Sequence, residues 1–368
     1  MMKRIIFTVT NDLTYDQRMH RICHSLAAHG YDVLLVGRKL SKSVPLTQQT
    51  FGQKRLTCFF TKGVGFYAEY NIRLFLFLLF HKSYDAICSI DLDTLPAGYM
   101  ASIIRGKKRV FDSHEYFTEV PELVGRSFQK TFWEQMAKLF VPQYKHAYTV
   151  GPALATIFSD KYGPSFKVVR NVPENLDSQK TQNRVESKFI LYQGALNDGR
   201  GVKEAILAMK KLDNLKLLIA GEGDLSSSLR ALTEEQNLSD KVEFLGYVLP
   251  IDLKKLTAKA WIGLNLLENK GLSYYYSLAN KFFDYVQASV PVLTMNFPEY
   301  SQLNKEFKVA YLIDKPSPEK IASAIKELME NERLYHELQN NCDHARKIWN
   351  WENEERILLK IWSEVFSS

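Results

Sequence analysis

FILYQGALNDGRGVKEAILAMKKL, residues 189–212, decides the fold. Phe189–Gln193 is a short apolar run of the kind that forms a strand buried on both faces. Gly194 to Gly201 then make a glycine-rich loop, and Val202–Leu212 carries apolar residues at helical spacing. Strand, glycine loop and helix in that order make the first half of a βαβ unit. Downstream the pattern continues. Strands are predicted at Leu215–Ala220, Val242–Tyr247, Trp261–Leu267, Pro291–Met295 and Val309–Ile313. Helices are predicted at Leu225–Asn237, Asp252–Ala260, Ala279–Ala288 and Pro318–Glu330, with more helix up to Phe366.

Upstream the same alternation reads as strands at Arg4–Thr10, Asp32–Arg38, Arg55–Thr61, Asp85–Ile90, Arg109–Ser113, Ala147–Gly151 and Lys167–Asn171. The helices between them are Asp16–His29, Tyr67–His81, Thr94–Arg105, Phe128–Phe140 and one opened by Pro152. Glu174–Lys188 (ENLDSQKTQNRVESK) is polar and reads as a linker. The expected organisation is a domain over 1–173, a linker over 174–187, a second domain over 188–348 and a terminal segment over 349–368. The fold class is α/β: two Rossmann-like, doubly wound parallel-sheet domains facing a cleft, with ligands beyond the carboxyl ends of the strands.

Composition narrows the function classes. The chain of 368 residues is 46% hydrophobic and 24% charged, which excludes a disordered chain, a collagen and a coiled-coil rod. Lys and Arg number 48 against 41 Asp and Glu, so the net charge of +7 admits an anionic partner. The basic residues are scattered without a stripe, and nucleic acid is not expected. Cys23, Cys58, Cys88 and Cys342 form no CxxC and are read as buried free thiols of a reducing compartment. The apolar stretch Ile5–Val9 is too short for a secretory signal, and Leu74–Phe80 is too short to span a bilayer. A cytoplasmic protein is expected.

Chemistry is expected in the loops after the strands. In the first, Asn11, Asp12, Asp16 and Arg18 precede or open a helix. Asp16 is an N-cap, and Arg18 either meets an anion or is solvated. No GxGxxG is present, which disfavours NAD. In the second loop, His114 can hydrogen-bond a sugar hydroxyl or move a proton, and Glu115 can orient it; a simple loop-capping pair is the alternative. In the third, Gly194, Gly199, Arg200 and Gly201 suit a diphosphate, with a forked cation added to backbone amides. Gly221-Glu222 belongs to a plain strand-to-helix turn or to the same cradle. Ser277, Leu278, Ala279, Asn280 and Lys281 open a helix on which Asp284 lies one turn beyond Asn280, placed to accept from a ribose diol. Three tyrosines, Tyr274–Tyr276, are either core or contact residues.

The order and spacing of TNDLTYDQR, FDSHEYFTEVPE, YGPSFKVVRNVPE, GALNDGRGVKEAI, IAGEGDL, VEFLGYV and SLANKFFDYVQASVPVL resemble the GT-B-fold glycosyltransferases, in particular the family 4 group of bacterial sugar transferases. The resemblance spans nearly the whole chain. It implies transfer of a sugar from a nucleotide-diphosphate sugar, held mainly by the C-terminal domain, to a glycan or lipid-linked acceptor in bacterial surface polysaccharide synthesis. It implies retention of configuration and no metal or other cofactor, in keeping with the absence of HExxH, EF-hand and CxxC patterns. By position, His114 matches an active-site histidine, Arg200 the cation that stabilises the leaving diphosphate, Lys281 the lysine of an LPNK segment and Asp284 the ribose-binding glutamate. The loop with Asn11, Asp12 and Arg18 falls on the acceptor side. Three positions depart from the pattern: Ala195 replaces an arginine, Ala279 a proline and Asp284 a glutamate. An epimerase or hydrolase of similar fold, or a nucleotide-sugar or glycan binder without activity, are the other readings.

The segment Trp349–Phe366 is amphipathic; the resemblance implies that it crosses back to the first domain, whereas a last helix on the second domain buries the same stripe. Phe66–Phe80 and Phe128–Tyr144 mix aromatic, aliphatic and basic residues. They read as interfacial helices in peripheral contact with the inner face of the cell membrane, or as ordinary core helices.

Overall fold

The computed structural model describes residues 2–14, 16–123, 125–175 and 188–367. Of the expected linker, 176–187 lies outside the described residues. Contacts divide the chain into two compact units, Met1–Arg170 with Glu355–Ser368, and Asn171–Glu354.

The first unit is a seven-stranded sheet. Its strands are β1 (Arg4–Thr8), β2 (Asp32–Lys39), β3 (Gly52–Thr57), β4 (Ala86–Ile90), β5 (Lys108–Ser113), β6 (His146–Thr149) and β7 (Phe166–Val168), in the order β3-β2-β1-β4-β5-β6-β7. All neighbouring pairs are parallel. β1 and β4 are buried almost throughout, which is why both read as continuous apolar runs rather than as alternations. The first helix, Gln17–Ala28, starts at Asp16, whose carboxylate accepts the Met19 amide at 3.0 Å. It buries Met19, Ile22, Cys23 and Leu26.

The second unit has six parallel strands: β8 (Phe189–Gln193), β9 (Lys216–Ala220), β10 (Val242–Gly246), β11 (Ile262–Asn265), β12 (Val292–Met295) and β13 (Ala310–Ile313), in the order β10-β9-β8-β11-β12-β13. The helix after β8 is α-helical only over Val202–Ala208 and tightens into a 3₁₀ turn at Met209–Lys211. The order in which successive strands are laid down reverses once in each sheet, between β1 and β4 and between β8 and β11. Those reversals are the points at which open parallel sheets leave a crevice for ligands.

The last helix, Trp351–Ser367, belongs to both units by contact. Trp351 donates its amide to the Pro173 carbonyl at 2.9 Å in the second unit. Further on, the fully buried Trp362 packs on Phe7 of β1 with ring centroids 5.5 Å apart, Phe366 stacks on Tyr31, and Glu364 pairs with Lys167, all in the first unit.

Several expected boundaries move. The strand read at Arg55–Thr61 lies at Gly52–Thr57, because Gly52 is where β3 first pairs with Leu34 of β2. The helix read from Tyr67 begins at Gly63, its glycines notwithstanding, since Phe66 and Tyr70 are drawn into the core. Cys58 is half-buried rather than buried; the other three thiols are buried and all four are free.

Candidate active site

In the first unit the carboxyl ends of β1, β4 and β5 bring together Thr10, Asp91, Asp93, Asp112 and His114. Asp112 is fully buried at the end of β5. One carboxylate oxygen accepts from the Arg18 guanidinium at 2.9 Å and the other faces His114 Nε2 at 3.1 Å. Arg18 is itself 3% exposed and donates to the Val169 carbonyl at 2.9 Å. The sequence left Arg18 either meeting an anion or solvated; its partner is a carboxylate of the protein, because the second residue of the helix points inward under β5.

Asp91 holds His114 from the other side. Its Oδ1 accepts the His114 amide at 2.8 Å and its Oδ2 lies 3.9 Å from Nδ1. Its backbone is left-handed at φ 53°, a strained conformation for a non-glycine residue. The strain is held by the Asp91 amide donating to the Asp112 carbonyl at 2.9 Å. Asp93 accepts from the Thr10 hydroxyl at 2.6 Å.

Burial opposes a charge on His114, but Asp112 and Asp91 outweigh it and lift its pKa to about 9. Burial likewise raises Asp91 to about 7, against the pull of His114, and Asp93 to about 6, against the Thr10 hydrogen bond. At neutral pH His114 is therefore a cationic donor with a fifth of its side chain exposed. Of the two roles read from sequence, this state suits hydrogen-bond donation, and in proton transfer it would give a proton rather than take one. Asp91 and Asp112 hold His114 from two sides, and Glu115 beside it is exposed. Because the folded pKa lies above the ordinary 6.5, the stability His114 contributes is fully present below that value and is lost as pH rises through about 9. A proton NMR titration of its ring should give a midpoint near 9. His114→Asn should remove the matching loss of melting temperature at alkaline pH.

The remaining loop residues of this unit support its backbone. Asn11 donates to the Asp16 carboxylate at 2.5 Å and accepts the Leu13 amide at 3.0 Å. Asp12 accepts from Ser43 at 2.6 Å and from the Thr14 amide at 3.0 Å, with Arg55 at 3.5 Å.

In the second unit the crevice between β8 and β11 gathers the glycine loop, Arg200, Lys281 and Asp284. Gly201 is left-handed at φ +66°, and a Cβ there would stand 2.2 Å from the Leu266 carbonyl oxygen. Gly221, at φ +147°, passes so close to Gly194 that a Cβ would lie 2.0 Å from its carbonyl oxygen. Both contacts are with backbone, which cannot swing aside. Gly201→Ala should therefore lower the unit's melting temperature and weaken nucleotide binding, and a thermal-shift assay with and without UDP or GDP reads both.

Lys281 is 8% exposed. Its ammonium sits 4.0 Å over the Tyr192 ring and 3.2 Å from where a Gly194 Cβ would be. Burial pushes it well below the usual lysine range, neighbouring Arg200 pushes it further, and Asp284 opposes both. The Arg200 guanidinium lies 5.0 Å over the Tyr274 ring, and its Nε is buried without a hydrogen-bond partner among the described residues. Asp284 accepts from the Gln193 side chain at 3.0 Å, which Thr257 holds in turn at 2.7 Å. Two adjoining cations, one of them buried, with a carboxylate a turn away suit an anion that carries a hydroxyl-bearing group.

The other predicted donor residues are placed less centrally. Glu222 is exposed and paired with Arg230 at 2.8 Å. The exposed Asn280 accepts from Asn171 at 2.7 Å, Ser277 donates to the Tyr274 carbonyl at 2.9 Å, and the Ala279 amide donates to the Tyr300 hydroxyl at 3.0 Å. Leu278 is a core residue, and Gly199 packs under Tyr274. Sequence reasoning missed Asp91, Asp93 and Asp112. The signal was present in SIDLDT, where two carboxylates end an otherwise apolar strand.

The profile of the family described as "Glycosyl transferases group 1" matches residues 174–345. An uncharacterized glycosyltransferase of Methanocaldococcus jannaschii is 40% identical over 78 residues, 20% of each chain. The N-acetylgalactosamine-N,N'-diacetylbacillosaminyl-diphospho-undecaprenol 4-alpha-N-acetylgalactosaminyltransferase of Campylobacter jejuni is 40% identical over 76 residues, 20% of this chain and 21% of that one. These matches thus span about a fifth of the length of each curated relative. Among solved structures, sucrose-phosphate synthase of Thermosynechococcus elongatus superposes with a TM-score of 0.79 at 15% identity over 99% of both chains. HepE of Anabaena, in complex with UDP-glucose, gives 0.76 at 14% identity over 98% of this chain and 99% of that one. At such identities the likeness is one of fold. Residues 174–345 match the group 1 glycosyl transferase profile, and the two parallel sheets share the GT-B fold of these solved structures.

Proposed function

We propose that the protein moves a sugar from a nucleotide-diphosphate sugar to a glycan or lipid-linked acceptor in bacterial surface polysaccharide synthesis, on the cytoplasmic side. The donor binds the second unit and the acceptor the first. The observation that carries this reading is the pair Arg200 and Lys281 beside the glycine loop: two cations with no ion-pair partner within 4.0 Å among the described residues. The bond from the anomeric carbon to the diphosphate oxygen breaks, and negative charge grows on that oxygen. Arg200 and Lys281 stabilise it more as it grows, which lowers the barrier. The acceptor hydroxyl attacks from the same face, its oxygen bonds to the anomeric carbon, and its proton passes to the departing diphosphate. Configuration is retained. In the first unit protonated His114 is a donor suited to a sugar hydroxyl, and in the second Asp284 accepts from the ribose diol.

Ala195 stands where the resemblance leads one to expect an arginine. Lys281 lies against the adjoining Gly194, so the loop retains two cations. This favours a transferase over a binder without activity. The test is nucleotide release from UDP- and GDP-sugars, with and without a bacterial lipid extract as acceptor source. Release that depends on the extract supports transfer. Release without any acceptor favours a hydrolase, and stabilisation by the sugar nucleotide with no release favours a binder.

A further inference from the structure

The first unit carries an apolar, basic surface that the proposed reaction does not use. Its centre is the helix Gly63–Phe80, which has two faces along the i, i+4 rows. Phe66, Tyr70, Leu74 and Leu78 are buried against Ile6, Val36 and Ile87 of the sheet and against Ala97 and Ala101. On the opposite face Val64, Ile72, Leu76 and Phe80 are exposed, Phe80 at 80%. Two neighbouring helices extend this face. Leu95–Ile104 exposes Ile103 and Ile104, and Ser127–Phe140 exposes Phe128 at 79% and Phe132. The three pack as one layer: Tyr67 meets Trp133 at a centroid distance of 5.0 Å, and Tyr99 meets Phe140 at 5.4 Å. Ahead of the first helix, Phe59 is 87% exposed.

Charge follows the same surface. The segments 59–82, 95–109 and 126–146 hold eleven Lys and Arg against two Asp and Glu, while the whole chain is only +7. The eleven basic residues lie on or next to the three helices of this layer in sequence, and none of them is buried. An 18-residue apolar helix has about the length of a bilayer core, yet this one cannot span, because its buried row is fixed to the sheet. It lies flat.

We propose that this face docks on an anionic lipid bilayer, with the exposed Phe, Ile and Leu side chains inserted at the acyl boundary and the lysines and arginines among the headgroups. Apolar insertion together with a basic rim is what distinguishes a lipid surface from a purely electrostatic partner. The proposal is independent of donor chemistry and is tested without substrate.

The test is co-sedimentation of the full chain with vesicles of phosphatidylcholine alone, or of phosphatidylcholine with phosphatidylglycerol. The expected result is binding to the anionic vesicles only, weakened by salt. The variant Ile72→Ser/Leu76→Ser/Phe80→Ser/Phe128→Ser should lose about tenfold or more in binding, since each side chain removes apolar insertion. Lys62→Ala/Lys82→Ala/Lys138→Ala should lose binding at low salt while keeping every apolar contact. Melting temperature and nucleotide binding of both variants should stay at the parent values, which separates lost docking from lost folding. Equal binding to both vesicle types, or undiminished binding by the apolar variant, would overturn the proposal. So would light scattering that finds a dimer which the serine variant dissolves, because a second copy would then cover the face.

Discussion

Arg200→Ala is expected to lower kcat/KM for sugar transfer by roughly 10²–10³, a loss of about 3–4 kcal/mol of transition-state stabilisation. Arg200 is half-buried and forms no ion pair among the described residues, so its removal breaks little of the fold. The melting temperature should change by a few degrees at most. Lysine at this position should restore only part of the rate, because one ammonium cannot replace two parallel guanidinium donors. Lys281 adds a signature in pH. Burial depresses its pKa, and an anion bound beside it favours the charged form. Affinity for a nucleoside diphosphate should thus fall as pH rises through the Lys281 pKa, and Lys281→Met should remove that dependence. Transfer unchanged in Arg200→Ala would contradict the role assigned to it.

Arg18→Ala is expected to destabilise the first unit by about 3–5 kcal/mol, the usual consequence of removing one partner of a buried ion pair. Arg18 and Asp112 are 3% and 0% exposed, so water cannot take the place of the missing guanidinium. His114 would be left as the nearest cation to Asp112. Arg18→Met/Asp112→Leu should recover part of the loss, since a well-packed apolar pair of similar size removes the orphaned charge. Urea unfolding followed by a probe in the first unit reads both variants. A change below about 1 kcal/mol in the single variant would mean that the pair is surface-like in its energetics.

The alternation of strand and helix was legible because both sheets are parallel and buried, and such strands appear as short apolar blocks between helical periods. Loop chemistry was legible wherever a polar residue ended one of those blocks, as at His114 and Arg200. What escaped were partners far apart in the chain. Arg18 and Asp112 are 94 residues apart and meet only because β1 and β5 flank β4. Asp91 was not singled out, since its left-handed backbone and its grip on the His114 amide exist only once β4 and β5 are in register. The apolar face of Gly63–Phe80 was ambiguous for a different reason. A helix buried on one row and exposed on the opposite one is apolar on both, so periodicity cannot tell core from surface.

The central claim is that the crevice of the second sheet holds a nucleoside diphosphate. Isothermal titration of the full chain with UDP, GDP and the corresponding monophosphates tests it most directly. One of the diphosphates should bind at least about tenfold more tightly than its monophosphate, a difference of about 1.4 kcal/mol, and Arg200→Ala together with Lys281→Met should erase the difference. Binding of neither diphosphate, or equal affinity for mono- and diphosphate in the parent protein, would contradict it.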